Sequence, residues 1–198
     1  NKKILCTQYG LDPALPLLSF IGRFATEKGA DILADIIKDL LGGAEASVSI
    51  FILGSGDANI QNSIASLTQQ FKGKLAVFFG YNEGLAHQVY AASDLLIMPS
   101  RVEPCGLNQL YALKYGTIPI VRKIGGLKDT VIDVEDSGYG FVFGDVDAAE
   151  AAATVRRALT YISDEKQFDE IRANAMELDF SWHKSAQKYI DLYNQLLR

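Results

Sequence analysis

Cysteine is scarce in this 198-residue chain: Cys6 and Cys105 are the only two, far apart and outside any Cys-x-x-Cys pair. They leave no basis for a disulfide framework and point to a reducing, cytoplasmic compartment. Long apolar runs are missing as well. No stretch approaches the roughly 18 consecutive apolar residues of a membrane span, and the basic start Asn1-Lys2-Lys3 is not followed by the apolar region of a signal peptide. The chain also lacks an initiator methionine, so it is expected to be part of a longer protein. Excess positive charge is absent: 19 Lys and Arg stand against 24 Asp and Glu, for a net charge of −5. That excludes a general nucleic-acid binder, which needs a basic face, while leaving room for a small anionic ligand in a locally basic cleft. Histidine is rare, and His87 and His183 are isolated, so no metal cluster of the usual spacing can be assembled. Asp145-Val146-Asp147 is the one acidic triplet of a metal-binding type, and helix capping explains it better.

What remains is an alternation of short apolar runs and amphipathic stretches. The runs are Pro16 to Phe24, Val48 to Leu53, Leu75 to Gly80, Leu95 to Met98, Thr117 to Val121 and Gly140 to Phe143. They are nearly uninterrupted, as expected of strands covered on both faces. Helical spacing over Ile32, Leu33, Ile36, Ile37, Leu40 and Leu41 predicts a helix ended by a left-handed glycine at Gly42-Gly43. Further helices are expected near Ala58 to Phe71, Glu83 to Ala92 and Leu107 to Tyr115, and Gly125-Gly126 is expected to be a loop. From about residue 147 to 198 the chain is helical, opening on an Asp147–Glu150 capping box. The last helix carries Trp182, Ala186, Tyr189, Ile190, Tyr193, Leu196 and Leu197 on one stripe, expected to pack on the sheet of the same domain. Repeated strand–helix units imply right-handed crossovers and a parallel sheet. The fold class is α/β: one Rossmann-like, doubly wound domain over residues 1–198.

Ligands of such sheets bind beyond the carboxyl ends of the strands, so the loops there carry the chemistry. The first, Gly22-Arg23-Phe24-Ala25-Thr26-Glu27-Lys28-Gly29, puts two cations at a strand end, a fit for a diphosphate. The bland alternative is a solvated pair with Glu27 as partner. Gly54-Ser55-Gly56 starts like a dinucleotide fingerprint but fails at Asn59, and reads as a turn. The densest loop runs from Pro99 through Ser100, Arg101, Glu103 and Cys105 to Asn108 and Gln109. Gly106 opens a helix whose first amides lack intrahelical partners, a ready anion site. Glu103 beside it suits sugar hydroxyls; its bland alternative is a surface pair with Arg101.

These residues resemble glycogen and starch synthases of the bacterial type. The resemblance is carried by Phe20-Ile-Gly-Arg-Phe-Ala-Thr-Glu-Lys-Gly29, by Gly80-Tyr81-Asn82-Glu83, by Asp94 to Ser100, and above all by Glu103-Pro-Cys-Gly-Leu-Asn-Gln-Leu-Tyr-Ala-Leu-Lys-Tyr-Gly-Thr-Ile-Pro-Ile-Val121 with Gly125-Gly-Leu-Lys-Asp-Thr130. It extends over nearly the whole chain, including the Phe180-Ser-Trp182 start of the last helix. It implies the C-terminal half of a two-domain GT-B glycosyltransferase, retaining at the anomeric carbon, with a nucleotide-sugar donor (ADP-glucose), no metal or other cofactor, and an α-1,4-glucan acceptor held by an N-terminal domain absent here. It implies that Arg23 and Lys28 hold the diphosphate, that Tyr81 stacks on the base, that Glu103 contacts the glucose, that Gly106, Leu107 and Asn108 meet phosphate and sugar, and that Cys105 lies beside the sugar pocket. Two positions depart from the wider superfamily. Tyr111 stands where many members have a second glutamate, and Asn108 stands where many have threonine. Three rivals stay open: a GT-B enzyme with UDP-glucose or another acceptor, a dinucleotide-dependent oxidoreductase, and a non-catalytic sugar- or nucleotide-binding module.

Overall fold

The computed structural model describes residues 1–43 and 46–197. Its sheet has six strands in the order β3-β2-β1-β4-β5-β6, every pairing parallel. The strands are β1 (Leu17–Phe24), β2 (Ser49–Gly56), β3 (Leu75–Phe79), β4 (Leu95–Met98), β5 (Ile118–Arg122) and β6 (Phe141–Phe143). The intervening and trailing helices are α1 (Lys2–Tyr9), α2 (Leu33–Leu41), α3 (Ala58–Gln70), α4 (Glu83–Ala92), α5 (Asn108–Tyr115), α6 (Gly125–Thr130), α7 (Ala148–Ile162), α8 (Glu165–Glu177) and α9 (Trp182–Leu196).

The period-two geometry of the strands explains the continuous apolar runs. Ile50 and Ile52 of β2 enter the core under α2, α3 and α7, whereas Phe51 and Leu53 enter the core under α1 and α4. Both faces of the sheet are therefore buried, as the runs require. α2 buries Ile36, Ile37, Leu40 and Leu41 and leaves Asp35 and Lys38 paired in solvent.

Four local expectations are corrected. Gly42 ends α2 in a right-handed conformation, its amide donating to the Lys38 carbonyl, so the left-handed glycine cap does not form there. Gly54-Ser55-Gly56 is the end of β2, in register with Gly22, Arg23 and Phe24, not a turn. Gly125-Gly126, read as a loop, begins α6. The Asp147–Glu150 box is half made: Asp147 accepts from the Glu150 amide, but the Glu150 carboxylate turns back to the amides of Gly144 and Asp145.

α1, which the sequence analysis left without an assignment, is a fifth difference. Its Leu5 and Cys6 are buried, and Lys2 pairs with Asp94 at 2.6 Å. The largest departure is α9. Its stripe does not pack on the sheet; the helix buries none of its residues, and Trp182, Tyr193, Leu196 and Leu197 are all exposed. The helical tail is otherwise as expected, with Arg198 outside the described residues.

Candidate functional site

β1 and β4 are neighbours, yet the chain leaves β1 toward β2 and reaches β4 from β3 on the far side of β1. This reversal opens the crevice of a doubly wound sheet, and the loops after β1 and β4 close around it. The two loops are fastened to each other. The amides of Arg101 and Val102 both donate to the Glu27 carbonyl, and Arg101 forks onto Asp31. Gly29 adopts φ +66°, and a Cβ there would lie 2.0 Å from the Pro99 carbonyl oxygen. The left-handed turn and the backbone approach both demand glycine. Gly29→Ala is expected to destabilise the domain by about 2 kcal/mol or more, read as a fall in the midpoint of chemical denaturation. An unchanged midpoint would show that the loops separate freely.

This fastening delivers Lys28 to Glu103. Lys28 Nζ lies 2.6 Å from Glu103 Oε2, with side chains 28% and 8% exposed. The Ser100 hydroxyl donates to the same carboxylate oxygen at 3.3 Å. Neither bland alternative holds for these two residues: Glu27 pairs with Arg23 instead, and Arg101 pairs with Asp31 instead. For Arg23 the bland alternative does describe the structure. Its guanidinium bonds Glu27 at 2.9 Å and stays largely in solvent.

Lys28, Ser100, Glu103, Leu107 and Asn108 line a cavity of about 60 Å³. Gly22, Ile21 and Asn108 are shared with an adjoining cavity of about 240 Å³, whose rim carries Arg23, Ser55, Tyr81 and Asn82. The two cavities form one trough along the carboxyl ends of β1, β2 and β4. Asn82 caps α4 by accepting from the Leu85 amide, which fixes Tyr81 immediately before it. The Tyr81 ring is 87% exposed and free to stack.

At the other end, Gly106 has φ +77°. Among the described residues, the Gly106 and Leu107 amides donate to no protein acceptor. They stand beside the N-terminus of α5, where the helix dipole favours an anion. Asn108 commits one donor to the Ile21 carbonyl at 2.6 Å, tying α5 to β1. Cys105 is exposed and does not line either cavity; only its backbone carbonyl serves the loop, by accepting from Gln109.

The structure thus brings together Lys28, Glu103, Leu107 and Asn108, sets Arg23 and Tyr81 on the rim of the same trough, and leaves the Cys105 side chain outside it. Sequence reasoning passed over Ser100 and Gln109. Ser100 sat in the quoted loop, but its contact depends on a fold-back of three residues that spacing does not reveal. A larger cleft of about 380 Å³ lies beyond β5 and β6, away from the crevice. There Arg157 bridges Asp133 and Glu135 and Glu150 holds two amides, while Lys123 and Lys128 make no ion pair among the described residues. We place the functional site at the crevice, where cations, free amides and a buried acid converge. Asp145 and Asp147 lie at the start of α7, and among the described residues no group of three or more His, Cys, Asp or Glu could hold a metal ion. No helix of the described residues is long and apolar enough to cross a membrane.

Comparison with known proteins shows the family. Residues 2–176 match the family model for glycosyl transferases group 1. Over the whole chain, the sequence is 46% identical to a glycogen synthase of Flavobacterium johnsoniae and 42% identical to one of Halorhodospira halophila, spanning 42% of each. The catalytic domain of starch synthase IV from Arabidopsis thaliana, solved bound to ADP and acarbose, superimposes with a TM-score of 0.85 at 37% identity, covering 98% of this chain and 41% of that one. The C-terminal domain of a group 1 family glycosyl transferase from Francisella tularensis shares the fold, with a TM-score of 0.69 over 90% of its length. The chain is less than half the length of the curated relatives it matches, and its fold is that of the Rossmann-like C-terminal domains of GT-B enzymes. It belongs to the group 1 glycosyl transferases, as a domain of the glycogen and starch synthase type.

Proposed function

We propose that this chain is the donor-binding half of a retaining glucosyltransferase that moves glucose from ADP-glucose to the non-reducing end of an α-1,4-glucan. The observation that carries the reading is the crevice itself: a lysine, two free amides and a buried glutamate gathered where a sugar diphosphate fits, with an exposed aromatic ring at the far end of the trough.

The leaving group of such a transfer is a nucleoside diphosphate, and negative charge grows on it as the glycosidic bond breaks. Lys28 and the amides of Gly106 and Leu107 are fixed donors that stabilise this charge in place, with Arg23 reaching it from the rim. Glu103 accepts from the glucose hydroxyls, which orients the sugar over the phosphates. Tyr81 stacks on the base. Adenine is favoured because a relative at 37% identity was solved with ADP; Tyr81 stacking by itself does not select a base.

The acceptor belongs to the other half of the enzyme. Support comes from the length of the relatives and from α9, whose exposed stripe of Trp182, Tyr189, Tyr193 and Leu196 is apolar surface that a second domain would cover. The chain alone then folds and binds nucleotide weakly but does not transfer glucose. The test is elongation of a maltooligosaccharide by the complete enzyme and by the isolated chain. Transfer from ADP-glucose by the complete enzyme only is the expected result. Transfer only from UDP-glucose would reassign the donor, elongation by the isolated chain would overturn the division of labour, and no elongation by the complete enzyme from either donor would overturn the glucan reading.

A further inference from the structure

Gln109 lies in the first turn of α5 with no exposed surface. Its Nε2 points at three acceptors: the Cys105 carbonyl at 3.1 Å, the Gly106 carbonyl at 3.0 Å and the Thr130 hydroxyl at 3.1 Å. The direction of the last bond is fixed by its neighbour. Thr130 gives its single proton to the Gly126 carbonyl at 2.6 Å, so its oxygen is an acceptor toward Gln109. Gly126 in turn donates its amide to the Glu103 carbonyl at 2.9 Å. One continuous network therefore joins the backbone of Glu103, Cys105 and Gly106 to α6. The contact is close: a Cβ on Gly126 would lie 2.1 Å from the Cys105 carbonyl oxygen.

This network has a consequence for the amides. In a planar trans peptide, C=O and N–H point in opposite directions. Drawing the Cys105 and Gly106 carbonyls toward Gln109 aims the N–H groups of Gly106 and Leu107 away from it. Neither of these amides has a protein acceptor among the described residues, and Leu107 lines the cavity that Lys28 and Glu103 share. Gln109 Oε1 is buried with no partner. An unpaired buried oxygen is costly; the nitrogen end of the same side chain shares its two N–H donors among three acceptors.

We propose that Gln109, relayed through Thr130, is a positioning residue for glycosyl transfer. It touches no substrate; it fixes the polarity of the two amides that face the departing diphosphate and the backbone that carries Glu103. This rests on the donor-site reading above. Because the charge these amides meet grows in the transition state, losing their alignment lowers kcat more than it raises the KM for the donor.

The test compares the complete enzyme with its Gln109→Leu, Thr130→Val and Thr130→Ser variants. Gln109→Leu is expected to lower kcat about a hundredfold, the scale of losing one fixed donor to a developing anion, with the donor KM within about threefold. Thr130→Val, which keeps the shape but not the hydroxyl, is expected to lower kcat about tenfold, and Thr130→Ser to restore it. The threonine pair decides the matter if Gln109→Leu does not fold. Wild-type kcat in Thr130→Val, or equal losses in Thr130→Val and Thr130→Ser, would overturn the positioning role. A wild-type enzyme that transfers no glucose would instead sink the donor-site reading, so the two failures are told apart.

Discussion

Lys28→Met is expected to lower the thermal midpoint by about 6–12 °C, corresponding to about 3 kcal/mol for a domain of this size. The cause is the partner left behind. Glu103 is 8% exposed at its side chain and keeps only the Ser100 hydroxyl when Lys28 is removed. A buried carboxylate without its counter-charge is far more expensive than the intact pair is favourable. The same variant loses a charge-assisted bond to the diphosphate, which weakens ADP binding about 10- to 100-fold. Adding Glu103→Gln to Lys28→Met removes the stranded charge and recovers most of the stability while leaving ADP binding weak. Melting curves of the two single variants and the double variant check this directly. A Lys28→Met protein as stable as the parent would mean that the pair is not formed in solution.

Glu103→Gln by itself is expected to separate binding from catalysis. The lysine proposed to hold phosphate is bonded to the glutamate, at 2.6 Å. The two charges neutralise each other, and a diphosphate must compete with Glu103 for Lys28. Replacing the carboxylate by an amide frees the cation and removes a like charge from beside the phosphates. ADP is then expected to bind about tenfold more tightly, equivalent to about 1.4 kcal/mol, a modest share of the Coulomb energy of two charges at this separation in a partly wet cleft. Glucose transfer is expected to fall about a thousandfold, because the sugar loses the group that orients it. Calorimetry and a transfer assay on the same preparation report both effects. Weaker ADP binding in Glu103→Gln would show that the glutamate supports the phosphate site by holding Lys28 in place.

The fold was largely legible because both faces of the sheet are covered. Continuous runs such as Ile50 to Leu53 have no other good explanation in a chain of this length. What was not legible lay in glycine-rich and terminal segments. Ser49–Gly56 runs on past Leu53 because a parallel partner, β1, continues beside it, so tertiary pairing overrides the turn preference of Gly-Ser-Gly. Gly125–Thr130 is helical despite two glycines because only residues without a side chain can approach the Glu103 and Cys105 carbonyls so closely. For α9, the stripe was read correctly as apolar, but periodicity marks an apolar face and does not say that this domain covers it.

The site shows the same division. Lys28 and Glu103 were each singled out from residue type and place at a strand end, yet their contact joins positions 75 residues apart, a distance that no local spacing rule spans. Arg101 was the sequence-adjacent partner for Glu103, and the fold sends it to Asp31. Cys105 drew attention because of its motif; the structure turns its side chain outward and uses only its carbonyl. Gln109 and Thr130 carry no chemical signal in sequence, because a glutamine and a threonine acquire meaning only through the groups they face.

The most direct measurement is a parallel calorimetric titration of this chain with ADP and UDP, beside an Arg23→Ala control and the complete enzyme. A diphosphate site in the crevice predicts that ADP binds, that Arg23→Ala weakens it markedly, and that the complete enzyme binds more tightly than the chain alone; preference for ADP over UDP is what the ADP-glucose proposal adds. Absence of ADP and UDP binding from the complete enzyme, or ADP binding that is indifferent to Arg23→Ala and Lys28→Met alike, would contradict the assignment of the crevice as the donor site.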